Sequence, residues 1–289
     1  MTDSVPLDRL SFSRANTLRR CGEQFRLQYL WKIPQKPAWA LAGGSAFHNI
    51  TEAIDLNDHG VPTPIPTPEE AIDAEVAKAL DGTEWTEADL RASGRKSVQW
   101  PNKEDRSWWL HHLPGMIESW RTWRNNNPWH IWVTPDGTPA IELEVRIELG
   151  DDADNRVNIL GYIDRVFEDP STGRLIVLDL KSGSSTPATT HQLGLYRLGI
   201  WQRFGMLADF GTFYSGRTGM TGEVYPLDEW TEDRFTFEYG ATKQMIRKGL
   251  FVPNVDRHCS WCGVRDACYA VGGKNANEVK RPWDKGDVS

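Results

Sequence analysis

The chain has 289 residues, of which 39% are hydrophobic and 25% charged, a length and balance that let one elaborated domain bury its own core without disulfides. No apolar run approaches the roughly 20 residues a membrane-spanning helix needs, and Met1 to Leu10 places acids and a proline where a secretory leader would be basic and then apolar. A formal net charge of -7 argues against a protein that coats nucleic acid indiscriminately, while leaving room for local basic surfaces. The expected location is cytoplasmic, and in that reducing compartment the four cysteines read as ligands or free thiols rather than disulfides.

From Met1 to Lys36 seven basic residues (Arg9, Arg14, Arg19, Arg20, Arg26, Lys32 and Lys36) stand against three acidic ones, a surface for phosphates or simply a solvated helix face. Ser11 to Leu30 reads as one helix, capped by Ser11 or Ser13, with Leu18, Phe25 and Tyr29 at helical spacing. A two-proline loop, Lys32 to Ala38, follows. Gly43-Gly44-Ser45-Ala46-Phe47-His48 then enters a second helix ending near Leu56, in which His48 and Glu52, one turn apart, share a face. Residues 61 to 68 are proline-rich; beyond them the chain reads as helical with interruptions, including Ala71 to Leu80 and a stretch carrying Trp108, Trp109, Trp120 and Trp123, with Pro114 starting or kinking a helix. Those tryptophans fit core packing better than base stacking, because they recur at helical spacing.

At Ala140 the pattern changes to strands: Ile141 to Leu149, Asn158 to Glu168 and Leu175 to Leu180, the last two joined by the turn Asp169-Pro170-Ser171-Thr172-Gly173, together an antiparallel meander. Thr190 to Gln202 reads as a helix, Ala208 to Tyr214 and Glu223 to Pro226 as strands, and Thr231 to Lys248 as a helix leading into the cysteines; the tail from Gly273 is polar and expected to be loose. The expected class is α/β, with a mixed central sheet flanked by helices. The segments are residues 1–56 with the first cysteine and the histidine motif, a helical insertion at 57–138, a core at 139–250, a cysteine cluster at 251–272 and a tail at 273–289.

The chemistry concentrates in Gly161-Tyr162-Ile163-Asp164-Arg165 and Val177-Leu178-Asp179-Leu180-Lys181-Ser182-Gly183. Strand alternation puts Asp179 and Lys181 on one face. Phosphodiester hydrolysis needs an activated water, charge stabilisation and a protected leaving oxygen, which two metal-holding carboxylates and a lysine can supply. Taken alone an Asp-x-Lys pair is most often a surface ion pair, and a lone histidine is most often structural. Cys259, Cys262 and Cys268, with Cys21 far upstream, form a soft thiolate set suited to zinc or to an iron-sulfur cluster, and spacing alone does not separate these.

These blocks, together with Leu18-Arg19-Arg20-Cys21, Gly44 to His48 with Glu52, and Gln192 to Tyr196, resemble in order the RecB-like branch of the PD-(D/E)xK nucleases, including the AddB nuclease domain and CRISPR-associated RecB-like exonucleases. The resemblance leaves roughly residues 57 to 138 uncovered. It implies a restriction-endonuclease-like fold with an iron-sulfur cap joining the N- and C-terminal segments. It further implies that Asp164 and Asp179, with the Leu180 carbonyl and His48, hold Mg²⁺ or Mn²⁺, that Lys181 is catalytic, and that Gln192 and Tyr196 form a supporting QxxxY motif. Glu144 stands where family members often carry a further acid. Cys21, Cys259, Cys262 and Cys268 would hold a 4Fe-4S cluster.

The activity so implied is a metal-dependent DNA exonuclease acting on single strands or ends, 5′ to 3′ by analogy, in recombination, repair, phage DNA metabolism or CRISPR adaptation. No GxxxxGK[ST] loop is present, so unwinding would fall to a helicase or other partner protein. The competing readings are a cluster-containing DNA-binding or assembly protein that does not cut, and a zinc-knuckle interaction module. Oligomeric state is open.

Overall fold

The computed structural model describes residues 9–151, 156–183, 185, 187–281 and 283–284. Most of the Met1 to Leu10 reading, and positions 282 and 285–289 of the expected tail, lie outside the described residues. In chain order the elements are β1 (Arg9–Leu10), α1 (Phe12–Arg20), α2 (Gly22–Phe25) continued by a π turn Arg26–Leu30, α3 (Trp39–Asp58), α4 (Pro68–Leu80), α5 (Arg106–Asn126), β2 (His130–Ile131), β3 (Ile141–Leu149), β4 (Val157–Asp169), β5 (Arg174–Lys181), α6 (His191–Phe204), β6 (Ala208–Ser215), β7 (Met220–Thr221), β8 (Tyr225–Pro226) and α7 (Glu232–Arg247). Short 3₁₀ turns carry the cysteine region, from Arg257 to Glu278. No described helix is long and apolar enough to cross a membrane.

The chain forms two compact units, each assembled from separated stretches: residues 1–35, 146–161 and 231–289, and residues 36–145 and 162–230. In the second unit, the C-terminal half of β4 runs antiparallel to β5, with Arg165 opposite Leu178 and Asp169 opposite Arg174. The expected meander stops there. β6 returns through α6 to lie parallel to β5, and β7 and β8 pair antiparallel with β6, so the sheet is mixed. The Asp169–Gly173 turn closes the β4–β5 hairpin through Gly173 at φ +68, a conformation glycine adopts without strain.

The core of this unit is aromatic. Trp109 and Trp120 are fully buried with Phe47, Leu113, Leu178 and Tyr214, so the tryptophans pack rather than present a stacking surface. Helices α3 and α5 meet at Gly43, where a Cβ would sit 2.0 Å from the Trp109 ring. The two glycines that looked like a helix entry are therefore interior: α3 begins four residues earlier, at Trp39. Helix α4 also starts before Ala71, because Thr67 and Glu70 form a capping box with Pro68 in the first turn. Pro114 lies inside α5.

In the first unit the expected single helix from Ser11 to Leu30 is broken at Cys21, which is extended (φ -163, ψ 112) and caps α2 through its sulfur. The break has a packing cause. Gly22 donates its N–H to the Val252 carbonyl, and a Cβ there would lie 2.6 Å from Val252 N, so the chain after α7 crosses at that point. Ser11 is the α1 cap.

Two members of the proposed basic face are engaged inside this unit. Arg26 is buried and forks onto Glu23, both bonds 2.7 Å, and Arg19 pairs with Glu238. The segment from Gly273 is anchored rather than loose where described: Asn275 N–H donates to Asp266, Ala276 is buried, and the Lys280 carbonyl accepts from Arg26 at 2.8 Å.

Candidate active site

Each side chain singled out near Asp179 sits in the second unit. One step beyond the Arg165–Leu178 pair, Asp164 on β4 and Asp179 on β5 come side by side at the end of the ladder, 8% and 2% exposed. The Leu180 N–H donates to Asp164 Oδ2. From α3, His48 Nδ1 reaches Asp164 Oδ1 at 3.5 Å and Glu142 Oε1 at 3.9 Å. Among the described residues, His48, Glu142 and Asp164 form the set of three metal-capable groups whose ligand atoms lie within 4.8 Å of one another.

Glu142 is the residue that sequence reasoning missed. Glu142 and Glu144 share a strand face, so alternation alone does not choose between them. The choice is made by the backbone: Glu142 takes φ +46 just after the Ile141 N–H closes back on the Pro139 carbonyl. Strain of this kind concentrates at functional sites. Its Oε1 is buried, facing His48 and the buried Arg165 guanidinium, the latter at 3.5 Å. Glu144 instead accepts a bond from the Tyr162 hydroxyl at 3.1 Å. Glu52 shares the α3 face as expected; burial, and then the charge of Glu142, lift its carboxyl, but it stands outside the converging set.

Asp179 lies beside that set and is ion-paired with Lys181. Lys181 also approaches Gln192 Oε1 at 3.5 Å, and Gln192 Nε2 donates to the Tyr196 hydroxyl at 2.8 Å, so the QxxxY pair on α6 reaches the lysine. Burial first, then the charges of Asp179 and Asp164, push the Tyr196 hydroxyl far above its ordinary range and keep it protonated. His48, Asp164, Asp179, Leu180, Lys181 and Gln192 all line one cleft of about 430 Å³. Gly44 brings α3 to this cleft, since a Cβ there would lie 2.8 Å from Ser182 Oγ.

The four cysteines are gathered in the first unit, where Cys21, Cys259, Cys262 and Cys268 line one small cavity with Gln24, Leu27, His258 and Val264. The Gln24 and Asn254 N–H groups point at Cys21 Sγ, at 3.5 and 3.4 Å. Burial raises the Cys262 and Cys268 thiols, with neighbouring cysteines adding to the shift.

Residues 9–269 match the family model of the PD-(D/E)XK nuclease superfamily. The chain belongs to that superfamily. It is 29% identical to the Gene 69 protein of Mycobacterium phage D29, over 91% of this chain and 97% of that one. To the Gene 69 protein of Mycobacterium phage L5 it is 27% identical, over 93% and 99%. Among solved structures it is similar to the one described as "Crystal structure of SSO0001", with a TM-score of 0.34 and 13% identity over 89% of this chain and 95% of that one.

Burial and neighbouring charge shift the titration of the side chains gathered at this candidate site. Burial, and then the adjacent Asp164 charge, raise Asp179 from 3.8 to about 7. For His48 burial is the largest influence and acts downward, but Asp164 and Glu142 outweigh it and lift the imidazole from 6.5 to about 10. Burial would also raise Asp164, yet His48 and the Leu180 N–H hold it below its ordinary value. Asp179 and His48 are both raised on folding, so the stability they contribute is present at low pH and lost as pH rises through these windows; the lowered Asp164 matters only in acid. The metal-free thermal midpoint is therefore expected to fall between about pH 6 and 9. Added Mn²⁺ should raise it more at about pH 8 than at about pH 6, because the ion displaces those protons. Scanning calorimetry across pH checks this; a metal-induced shift that does not change with pH would contradict it.

Proposed function

We propose that this chain is a metal-dependent deoxyribonuclease of the RecB-like, iron-sulfur kind, an exonuclease acting on single-stranded DNA or DNA ends. The observation that carries the reading is the convergence of Glu142 with His48 and Asp164, the latter two lining the cleft that also holds Asp179 and Lys181. Three carboxylates, one imidazole and the Leu180 carbonyl would hold Mg²⁺ or Mn²⁺; oxygen donors suit both ions, and the imidazole favours Mn²⁺. When bound, the ion supplies charge stabilisation to the phosphoryl oxygens and makes water acidic.

The remaining work falls to the chain's own side chains. Lys181, held by Asp179 and Gln192, orients the attacking water and offsets the negative charge that develops on the phosphoryl group. Tyr196, kept neutral, fixes Gln192. Asp164 is held by the Leu180 N–H, so the carboxylate does not turn away from His48.

The four cysteines that line one cavity form a soft thiolate set, and by the family analogy its one-plus-three arrangement favours a 4Fe-4S cluster over zinc. Cys21, Cys259, Cys262 and Cys268 would hold the cluster, which would tie the α1–α2 break to the chain's last turns across more than 200 residues.

Both curated relatives are phage proteins, which favours phage DNA metabolism in the host cytoplasm over CRISPR adaptation. A 5′ to 3′ polarity and a helicase or recombination partner follow from the family analogy. A Mn²⁺ titration followed by electron paramagnetic resonance tests the metal assignment: Glu142→Gln should weaken binding at least about tenfold and Glu144→Gln leave it unchanged. Equal effects of the two substitutions would contradict it.

A further inference from the structure

β5 ends at Lys181, and Ser182 and Gly183 continue along the cleft wall. Two bonds from the turn between β6 and β7 hold this strand end: the Gly216 N–H donates to the Lys181 carbonyl and Arg217 Nε to the Ser182 carbonyl, both at 2.8 Å. The other two Arg217 nitrogens fork onto the two carboxylate oxygens of Glu104, each at 2.9 Å. Its guanidinium lies 4.5 Å from the centre of the Trp108 ring. Glu104 is itself fixed by Ser93 Oγ at 2.9 Å. Burial works against its charge, but the Arg217 and Ser93 bonds outweigh this and keep its carboxyl below the usual range.

Arg217 thus has its fork on Glu104, its Nε on Ser182 and its face on Trp108, which commits it to the protein rather than to a phosphate. A lysine ammonium, a point charge without the planar fork, would not reproduce the Ser182 bond and the two-pronged Glu104 pair together. Glu104 and Trp108 come from the 57–138 stretch that the RecB-like resemblance leaves uncovered.

We propose that Arg217, braced by Glu104 and Trp108 of the helical insertion, is a positioning residue that fixes the end of β5 and so sets the Lys181 ammonium against Asp179. The insertion is then part of the catalytic apparatus rather than an appendage. This rests on the assignment of Lys181 above.

The test is hydrogen exchange by mass spectrometry beside steady-state cleavage, in full-length protein with Arg217→Lys or Glu104→Gln. Exchange in peptides covering 181–183 and 215–217 should quicken about tenfold, with peptides of the cysteine unit unchanged. kcat should fall about 10- to 100-fold while KM for DNA stays within about twofold, as expected when a reacting group is misplaced but binding is spared. Unchanged exchange at 181–183 in both variants overturns the proposal whether or not the protein cuts. Faster exchange throughout the chain would assign Arg217 to folding alone and overturn it too, as would local loosening with kcat intact. A wild type that never cuts would overturn the nuclease reading instead, and the exchange data would still decide the clamp.

Discussion

Replacing Lys181 with alanine is expected to slow DNA cleavage by on the order of 10²- to 10⁴-fold, the range for loss of a positioned acid-base or charge-stabilising group. Metal and DNA binding should be largely retained. The geometry separates the two effects. Lys181 is paired with Asp179 and reaches Gln192, but it is outside the converging His48, Glu142 and Asp164 set. Its loss removes charge and orientation while leaving the donors that hold the ion. Arginine should not restore activity, since its planar fork would not reproduce the single ammonium between Asp179 and Gln192. Single-turnover kinetics at saturating Mn²⁺ measures this; cleavage unchanged in Lys181→Ala would remove the lysine from the mechanism.

Replacing Cys262 with alanine should bleach the anaerobically purified protein and lower its thermal midpoint substantially, because cluster-binding free energy is also folding free energy for the unit that provides the ligands. Around the cavity the buried apolar packing is a small cluster, Leu27, Val264 and Ala267 with a few half-buried neighbours. Cleavage should suffer only through the loss of folded protein, since Asp164, Asp179 and Lys181 belong to the other compact unit. Visible absorption and calorimetry on the same sample check both effects. A variant that stays coloured and equally stable would show that Cys262 is not a ligand, and a colourless wild type with bound zinc would replace the cluster.

Much of the site was legible because its residues announce themselves locally. Asp179 and Lys181 are fixed by period-two alternation, and Gln192 and Tyr196 by one helical turn; the structure places all four along one cleft or beside it. The three strands were readable locally, Ile141–Leu149 from its alternation, β4 as the segment that follows it before the Asp169–Gly173 turn, and β5 as a short apolar run. What local pattern could not reveal was anything decided by distant chain. Glu142 was hidden because a left-handed turn at one residue, not the alternation it shares with Glu144, aims the carboxylate. The break at Cys21 was hidden because it is caused by residues 251 and 252 passing against Gly22. The parallel return of β6 depends on a crossover through α6 that a run of strand signals does not specify. Arg217 was invisible for the same reason, as its partners Ser182 and Glu104 lie 35 and 113 residues away.

The most direct test of the central claim is cleavage of end-labelled single- and double-stranded DNA by anaerobically purified protein, in Mn²⁺, Mg²⁺ or EDTA, beside Asp179→Ala. The account predicts cutting that needs the divalent ion and vanishes in the variant, with a product ladder that starts from the 5′ end. A cluster-loaded wild type that binds Mn²⁺ and DNA yet leaves every substrate intact, or cutting that survives in Asp179→Ala, would contradict it.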